Sequence, residues 1–495
     1  MKPNALWKAV LFLCGVLFII STPHIHTRAE SPAPQATTPE EQFEQAAGVM
    51  GRNEAFFRLA NALSEPLAAS YRAPAPPTPS LNAHHAPLGA TDTAVYLPLV
   101  RKDAPAAMVE RRAIWLTRFD WTSAARVVGP ADLDTALDNI ATAGFNTILF
   151  QVRGNGDAFY TPGLEPWSAR LTGSYAATLG QNPGWDPLAY LIEKAHARGI
   201  EVHAYVNTYP AWLPPPEGQG DLAPPATTPA HMFDTFTYGP DYNAHPGVYG
   251  MGYKWRVHDT SGTPMPLQWS EYLWASPGVD EVQQHILNVI TDIVARYPVD
   301  GVHLDFIRYP GPSYSFDPYS NAAAGDTHTA ARDQWQRDRI TWMVAQTYAA
   351  TRTYRPNAWV SAAVWPYYTD RGLLPGAAWF GYDHYFQDSH GWLASGVIDA
   401  IMPMLYGGYS DTYDTWVALM HDHLNAAAGR HVYPGIGGYN MTDFADLAQR
   451  IEAARAAGAP GHAIFSYDVL AYRGWFDDLA NGPYATPAVP PPRSW

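Results

Sequence analysis

The run Val299-Asp300-Gly301-Val302-His303-Leu304-Asp305-Phe306-Ile307-Arg308-Tyr309-Pro310 has the pattern of a short strand buried on both faces. Val302 and Leu304 share one side of the pleat, and Gly301, His303 and Asp305 share the other. Strands covered on both faces belong to parallel sheets. A carboxylate at the C-terminal end of such a strand stands where parallel barrels carry their chemistry.

The same pattern recurs on either side. Strands are expected at 112–118, 146–152, 200–207, 300–305, 358–365, 398–405, 431–437 and 462–467. Helical periodicity fills the gaps at 131–143, 185–198, 279–297, 331–354, 384–396, 413–428 and 443–457. Pro130-Ala131-Asp132 and Trp185-Asp186-Pro187 read as helix starts, and Gly144 and Gly199 as helix ends. Eight strands alternating with helices predict an α/β fold, a closed (β/α)8 TIM barrel. An open doubly wound sheet is disfavoured, because no Gly-rich phosphate loop follows the first strand.

Two βα loops are long, 153–184 and 208–277. Loops of that length on a compact domain are usually functional. The second is dense in rings, among them Tyr209, Trp212, Phe233, Phe236, Tyr238, Tyr242, Tyr249, Tyr253, Trp255, Trp269, Tyr272 and Trp274. Sugars stack their C–H faces on aromatic rings, so this loop reads as the wall of a polysaccharide cleft; a self-packed loop core is the alternative.

Strand parity collects polar side chains at one mouth. Gln151 and Arg153 share a face of strand two, His203, Tyr205 and Asn207 of strand three, and His303 and Asp305 of strand four. Trp365 ends strand five, and Tyr406 follows strand six. Asp305 is the leading catalytic candidate, since a carboxylate ringed by His, Arg and Tyr suits acid/base or nucleophilic work. Pairing with Arg308 or Arg153 is the structural alternative. Glycoside hydrolysis needs a second carboxyl group. Glu165, in Leu164-Glu165-Pro166-Trp167-Ser168, is the first choice, ahead of Asp157, Asp383, Asp388 and Asp468. Gln151, Arg153, His203, Asn207, His303, Arg308, Trp365 and Tyr406 are the expected substrate contacts. No HxH, HExxH or paired Asp–His spacing appears at the strand ends, and no cofactor is implied.

Composition sets the outer bounds. Of 495 residues, 47% are hydrophobic and 13% aromatic, enough for a sizeable core. Lys and Arg number 31 against 46 Asp and Glu, a net charge of −15, and no basic run is present; nucleic acid is therefore a poor partner. The single cysteine, Cys14, rules out a disulfide framework within the chain.

Lys2 and Lys8 precede a twelve-residue apolar run, Ala9 to Ile20, and Thr27-Arg28-Ala29 carries small residues where a signal peptidase reads. Residues 1–29 are expected to be a signal peptide, making the protein secreted or cell-surface with no transmembrane domain after cleavage; an uncleaved anchor is the alternative. Residues 30–108 are rich in Pro and Ala and read as a linker, with an amphipathic helix within 40–67 and a short strand at 95–100. The barrel is expected over 109–480 and a Pro-rich tail over 481–495.

Ordered motifs also carry a resemblance. They are Phe150-Gln151-Val152-Arg153, Gly156-Asp157-Ala158-Phe159-Tyr160, Glu165-Pro166-Trp167-Ser168, His203-Ala204-Tyr205-Val206-Asn207, Val299 to Asp305 with Arg308-Tyr309-Pro310, and Ile398-Asp399-Ala400-Ile401-Met402-Pro403-Met404-Leu405-Tyr406. Over about residues 110–475 the chain resembles the glycosyl-hydrolase-like 10 family of exported bacterial proteins. The resemblance implies a (β/α)8 barrel with Gln151, Arg153, His203, Asn207 and Asp305 lining the site. It also implies hydrolysis of bacterial wall glycan, since a branch of the family cleaves peptidoglycan strands stripped of their peptides. Two positions depart from the family pattern: Phe306 stands where many members have a second acid, and Asn207-Thr208-Tyr209-Pro210 lacks the Arg common after strand three. A chitinase-type strand four would carry its acid Glu where this chain has Ile307.

The sequence thus predicts a secreted glycoside hydrolase acting on an N-acetylated, peptidoglycan-like polysaccharide. The alternative is a tethered barrel that binds wall polysaccharide without cutting it. A metal-dependent deacetylase is disfavoured by the missing ligand set.

Overall fold

The computed structural model describes residues 107–239, 252–373, 379–406 and 412–495. The expected signal peptide, the linker with its helix and strand, Tyr242 and Tyr249 lie outside the described residues.

Eight parallel strand positions alternate with helices: β1 (Arg111–Leu116), α1 (Pro130–Ala143), β2 (Thr147–Arg153), α2 (Pro187–His196), β3 (Glu201–Asn207), α3 (Asp280–Arg296), β4 (Gly301–Asp305), α4 (Ala330–Tyr354), β5 (Trp359–Val364), α5 (Ser389–Ser395), β6 (Ala400–Pro403), α6 (Tyr413–Asn425), β7 (His431–Val432 and Gly435–Gly437), α7 (Phe444–Ala456), β8 (Gly461–Phe465) and α8 (Trp475–Asn481). Neighbours in the sheet follow chain order and β8 pairs with β1. The first half of β7 pairs with β6 and the second with β8, so it is one interrupted strand that closes the ring. Across the interruption Tyr433 N–H donates to the Ile401 carbonyl (3.0 Å) and Ala463 N–H to that of Pro434 (3.1 Å). The predicted TIM barrel is the fold, and each expected strand and helix lies within a few residues of its predicted place.

Local chemistry explains the element ends. Pro130 opens α1 with its fixed φ, and the Asp132 carboxylate turns back to accept from Gly129 N–H (2.9 Å). Gly144, at φ +88°, closes the helix in the left-handed conformation. Asp186 caps α2 through Ala189 N–H (3.0 Å) ahead of Pro187.

The N-terminal face of the barrel is sealed. Arg111, fully buried, spans Thr147, Glu201, His203 and Tyr433 and lies over the rings of Trp359 and Tyr433. Below it, Ala488–Val489 pairs with Met108–Val109, and Trp495 packs on Trp359 and His431 while its indole N–H donates to Asp399 (2.9 Å). The stretch expected as a tail, 481–495, is therefore docked; its apolar residues cover ring faces at the strand starts that would otherwise meet water. Among the described residues no helix is long and apolar enough to cross a membrane.

Candidate active site

The open end of the barrel is the C-terminal one. Asp305, the last residue of β4, stands there at 8% exposure. Its carboxylate accepts from every side: Oδ2 from the Tyr205 phenol (2.8 Å), Oδ1 from Phe306 N–H (2.6 Å), with the Arg308 guanidinium 3.4 Å from Oδ1. Phe306 adopts φ +54°, a conformation that a non-glycine residue enters at a cost of about 1–3 kcal/mol, and this bend returns its N–H to the carboxylate before it. The Phe306 ring is 5.6 Å from those of Tyr272 and Trp274, so the position that departs from the family pattern packs against the third βα loop, the long 208–277 segment after β3.

Register puts partners beside Asp305. Asn207 pairs across the sheet with Asp305, and Tyr205 with His303. Gln151 Nε2 donates to Asn207 Oδ1 (2.9 Å), and Gln151 Oε1 accepts from Arg118 N–H (2.9 Å). Asn207 Nδ2 is buried and has no partner among the described residues. Burial, then the neighbouring Asp305 charge, pushes the Tyr205 phenol far above its ordinary range, so it remains a hydrogen-bond donor. Tyr406 stacks on Phe465 (5.5 Å) beside Trp115, giving the mouth an aromatic floor. Trp365 is half-buried at the end of β5, its ring 4.2 Å from that of Tyr385.

Other expected contacts lie elsewhere. Arg153 does not share the lumen with Gln151. The β2–β3 register shifts between them, with Gln151 opposite Tyr205 and Arg153 opposite Val206, and the slip turns Arg153 to the other side of the sheet. There it makes a two-point ion pair with Glu165 (2.7 Å each) and donates to the carbonyls of Asn207, Thr208 and Pro210. Glu165 also meets His285 of α3 (3.0 Å), so it sits between the strand ends and the outer helix, with no exposed side-chain surface. Burial alone would raise its pKa, but Arg153 and His285 hold it well below the usual carboxylate range.

His203 belongs to the sealed end, where Nε2 faces Glu201 (3.2 Å) and Arg111 (3.3 Å). Burial raises and Arg111 with His203 lowers the Glu201 pKa, which settles at about 2. His303 lies in the middle layer: Nε2 accepts from the Trp115 indole (3.1 Å), so Nδ1 carries the proton toward Ser361 (3.0 Å). Burial, then His203, lowers its pKa to about 3, and the ring is neutral. Parity placed both histidines on the inward face; depth in the barrel separates them from the mouth.

The long third loop is chiefly a core of its own. Tyr209, Trp212, Phe233, Phe236, Trp255 and Trp274 are buried, whereas Tyr238 and Tyr253 are exposed. The expected aromatic wall is thus largely a self-packed cluster.

Two mouth residues, Arg118 and Asp120, escaped the sequence reading, whereas Asp468 stood among its alternative carboxyl groups. Arg118 follows β1 directly and reaches Asn155 (3.1 Å) and the Tyr272 phenol (2.6 Å). Asp120, just past the end of β1, is raised by burial and in part by the charge of Asp468, just past the end of β8. For Asp120 burial leads and Asp468 follows; Asp468 is raised by burial against opposing bonds from Ser466 and Val469 N–H. A carboxylate just past the adjacent ends of β8 and β1 was the available signal. Asp157 and Asp388 instead organise backbone, at Asn155 N–H (2.9 Å) and Gly391 N–H (2.8 Å).

The sequence profile of the glycosyl hydrolase-like 10 family matches residues 110–211 and 258–441. The chain belongs to that family. All the candidate residues from Gln151 to Tyr406 fall within the matched segments, and the unmatched 212–257 lies in the third loop. The chain is similar to the glycosyl hydrolase DigH of Escherichia coli strain K12, at 29% identity over 356 residues, 67% of this chain and 73% of that protein. It is similar to the glycosyl hydrolase YngK of Bacillus subtilis strain 168, at 26% identity over 423 residues, 78% and 74% of the two chains. The PgaB (BpsB) glycoside hydrolase domain of Bordetella bronchiseptica shares the fold, with a TM-score of 0.51 at 11% identity, covering 75% of this chain and 98% of that one.

Proposed function

We propose that this glycoside-hydrolase-like barrel is an exported hydrolase of O-glycosidic bonds in an N-acetylated, cell-wall-type glycan. The observation that carries the reading is Asp305, a carboxylate at the end of β4 held by donors from Tyr205, Phe306 and Arg308. Donors on both oxygens fix the orientation of the carboxylate, which suits a nucleophile or base. The second role needs a carboxyl group that keeps its proton. Glu165 does not suit it, because a sealed ion pair holds it ionised and turned away from the mouth. Asp468, raised by burial just past the end of β8, suits it better, since a raised carboxyl group keeps the proton that a general acid delivers. Asn207, Gln151 and Arg118 would hold sugar substituents beside Asp305, over the floor of Tyr406 and Phe465.

The test is digestion of peptide-free peptidoglycan glycan strands by wild type, Asp305→Asn and Asp468→Asn, with products read by mass spectrometry. Short sugars from wild type alone support hydrolysis. Products that persist in Asp305→Asn overturn the assignment of that residue. Cosedimentation of all three proteins with uncut glycan favours the non-catalytic binding barrel. Full activity of Asp468→Asn moves the acid role elsewhere.

A further inference from the structure

Arg118 and Arg170 both lie over the Phe119 ring, with guanidinium carbons 4.2 and 4.8 Å from its centroid. Their hydrogen bonds go to neutral acceptors. Arg118 uses Nη2 for Asn155 Oδ1 and the Tyr272 phenol. Arg170 uses Nε for the Thr122 hydroxyl (2.8 Å) and Nη2 for the Thr122 carbonyl (3.3 Å). Among the described residues neither guanidinium lies within ion-pair distance of a carboxylate, in a chain whose net charge is −15. Asp157, in the same neighbourhood, has its Oδ1 on Asn155 N–H. Arg118 is 3% exposed and Arg170 half-buried, so water screens this charge poorly. Burial, then repulsion by Arg118, brings Arg170 down to about 10, and it stays charged at neutral pH.

The pair adjoins the candidate active site. Arg118 N–H donates to Gln151, Gln151 to Asn207, and Asn207 lies opposite Asp305. Two cations over one ring repel, and Asp157, outside ion-pair distance of both, offsets this only in part; a further carboxylate would relieve the repulsion and match the planar fork of a guanidinium. We propose that Arg118 and Arg170 form a subsite for a carboxylate-bearing sugar of the glycan held at Asp305. The inference rests on the glycan reading above and adds a substrate class to it: acidic glycans are preferred over neutral ones. An ether-linked lactyl acid and a uronic acid present the same group.

Calorimetric titration of the full chain carrying Asp305→Asn, which prevents turnover, tests it. Four probes are compared: peptide-free peptidoglycan tetrasaccharide with free lactyl carboxylates, its methyl ester, neutral chitotetraose and a glucuronate-containing tetrasaccharide. The free acid should bind about tenfold more tightly than its ester, the difference expected for a charge-assisted hydrogen bond. Adding Arg170→Met should bring that ratio to near one while leaving the affinity for the ester in place. Arg170→Lys, which keeps the charge but loses the fork, should retain part of the ratio. The two acidic probes separate lactyl from uronic recognition. Equal binding of acid and ester to the parent protein overturns the subsite and leaves the glycan reading standing, as does a ratio that survives Arg170→Met. Binding of none of the four overturns both.

Discussion

Arg153 and Glu165 form an ion pair through two nitrogens and two oxygens, each contact 2.7 Å, with no side-chain surface of either residue left to solvent. The pair ties the end of β2 to the loop that follows, and His285 ties it to α3. Removing one member strands the other charge in the interior, at about 3–5 kcal/mol. Glu165→Gln should therefore lower the unfolding free energy by that order, measured by urea denaturation. The sign with pH follows from the lowered pKa. The contribution is complete above the unfolded value of about 4.3 and is lost as pH falls below it. The gap between wild type and Glu165→Gln should thus narrow on acidification from pH 5. A Glu165→Gln protein as stable as wild type at pH 7 would refute the structural assignment.

Tyr205→Phe removes one hydrogen bond to Asp305 and little volume. We expect about 1 kcal/mol of lost stability, within the range for a neutral donor. On glycan, the turnover number should fall about tenfold or more with KM little changed, because the phenol touches the carboxylate that changes charge state. Equal losses in KM and turnover would point to a binding role instead.

Gly301 stands opposite His203 with no room for a side chain. A Cβ there would lie 2.6 Å from Nδ1 of that buried ring. The ring is held by Arg111 and Glu201 and has little freedom to retreat. Gly301→Ala should cost about 1–3 kcal/mol by overpacking, read as a lower midpoint in thermal unfolding. An unchanged midpoint would show that the sealed end of the barrel yields.

Neutral His303 gives a second pH dependence. Its folded value near 3 lies below the unfolded value of about 6.5, so the unfolded chain takes up the proton first. Wild-type stability should therefore fall by roughly 1.4 kcal/mol per pH unit from this group as pH drops below about 6.5. His303→Gln lacks the titration, and the stability gap between the two proteins should shrink between pH 7 and pH 5. A constant gap would mean that folded and unfolded chains take up the proton alike, which would refute a neutral, buried His303.

Truncation after Pro487 removes the strand that pairs with Met108–Val109 and the Trp495 side chain on Trp359 and His431. Losing this partly exposed aromatic anchor and the short strand should cost about 1–2 kcal/mol, measured by denaturant titration. Activity per folded molecule should be unchanged, because the segment lies at the end of the barrel opposite Asp305.

The barrel was legible in the chain because its signals are local. Short apolar strands of at most seven residues, Pro and Asp at helix starts and Gly at helix ends act within a few residues of themselves. Asp305 was legible for the same reason: it ends a strand, and barrel chemistry gathers at strand ends. What parity could not supply was depth and register. It assigned His203, His303 and Asp305 one face correctly, yet these occupy the sealed end, the middle layer and the mouth. A one-residue slip after Gln151 carried Arg153 out of the lumen and drew Glu165 with it. Alternation along the strands told inward from outward residues up to that slip, and the strand ends told where carboxylates gather. Only the tertiary structure decided which charges meet: Arg153 with Glu165, Arg111 with Glu201, and Arg118 beside Arg170 without a carboxylate. Those pairings join segments 12 to 90 residues apart. Charge interacts through space rather than along the chain, and only closure of the barrel brings such segments within a few ångströms.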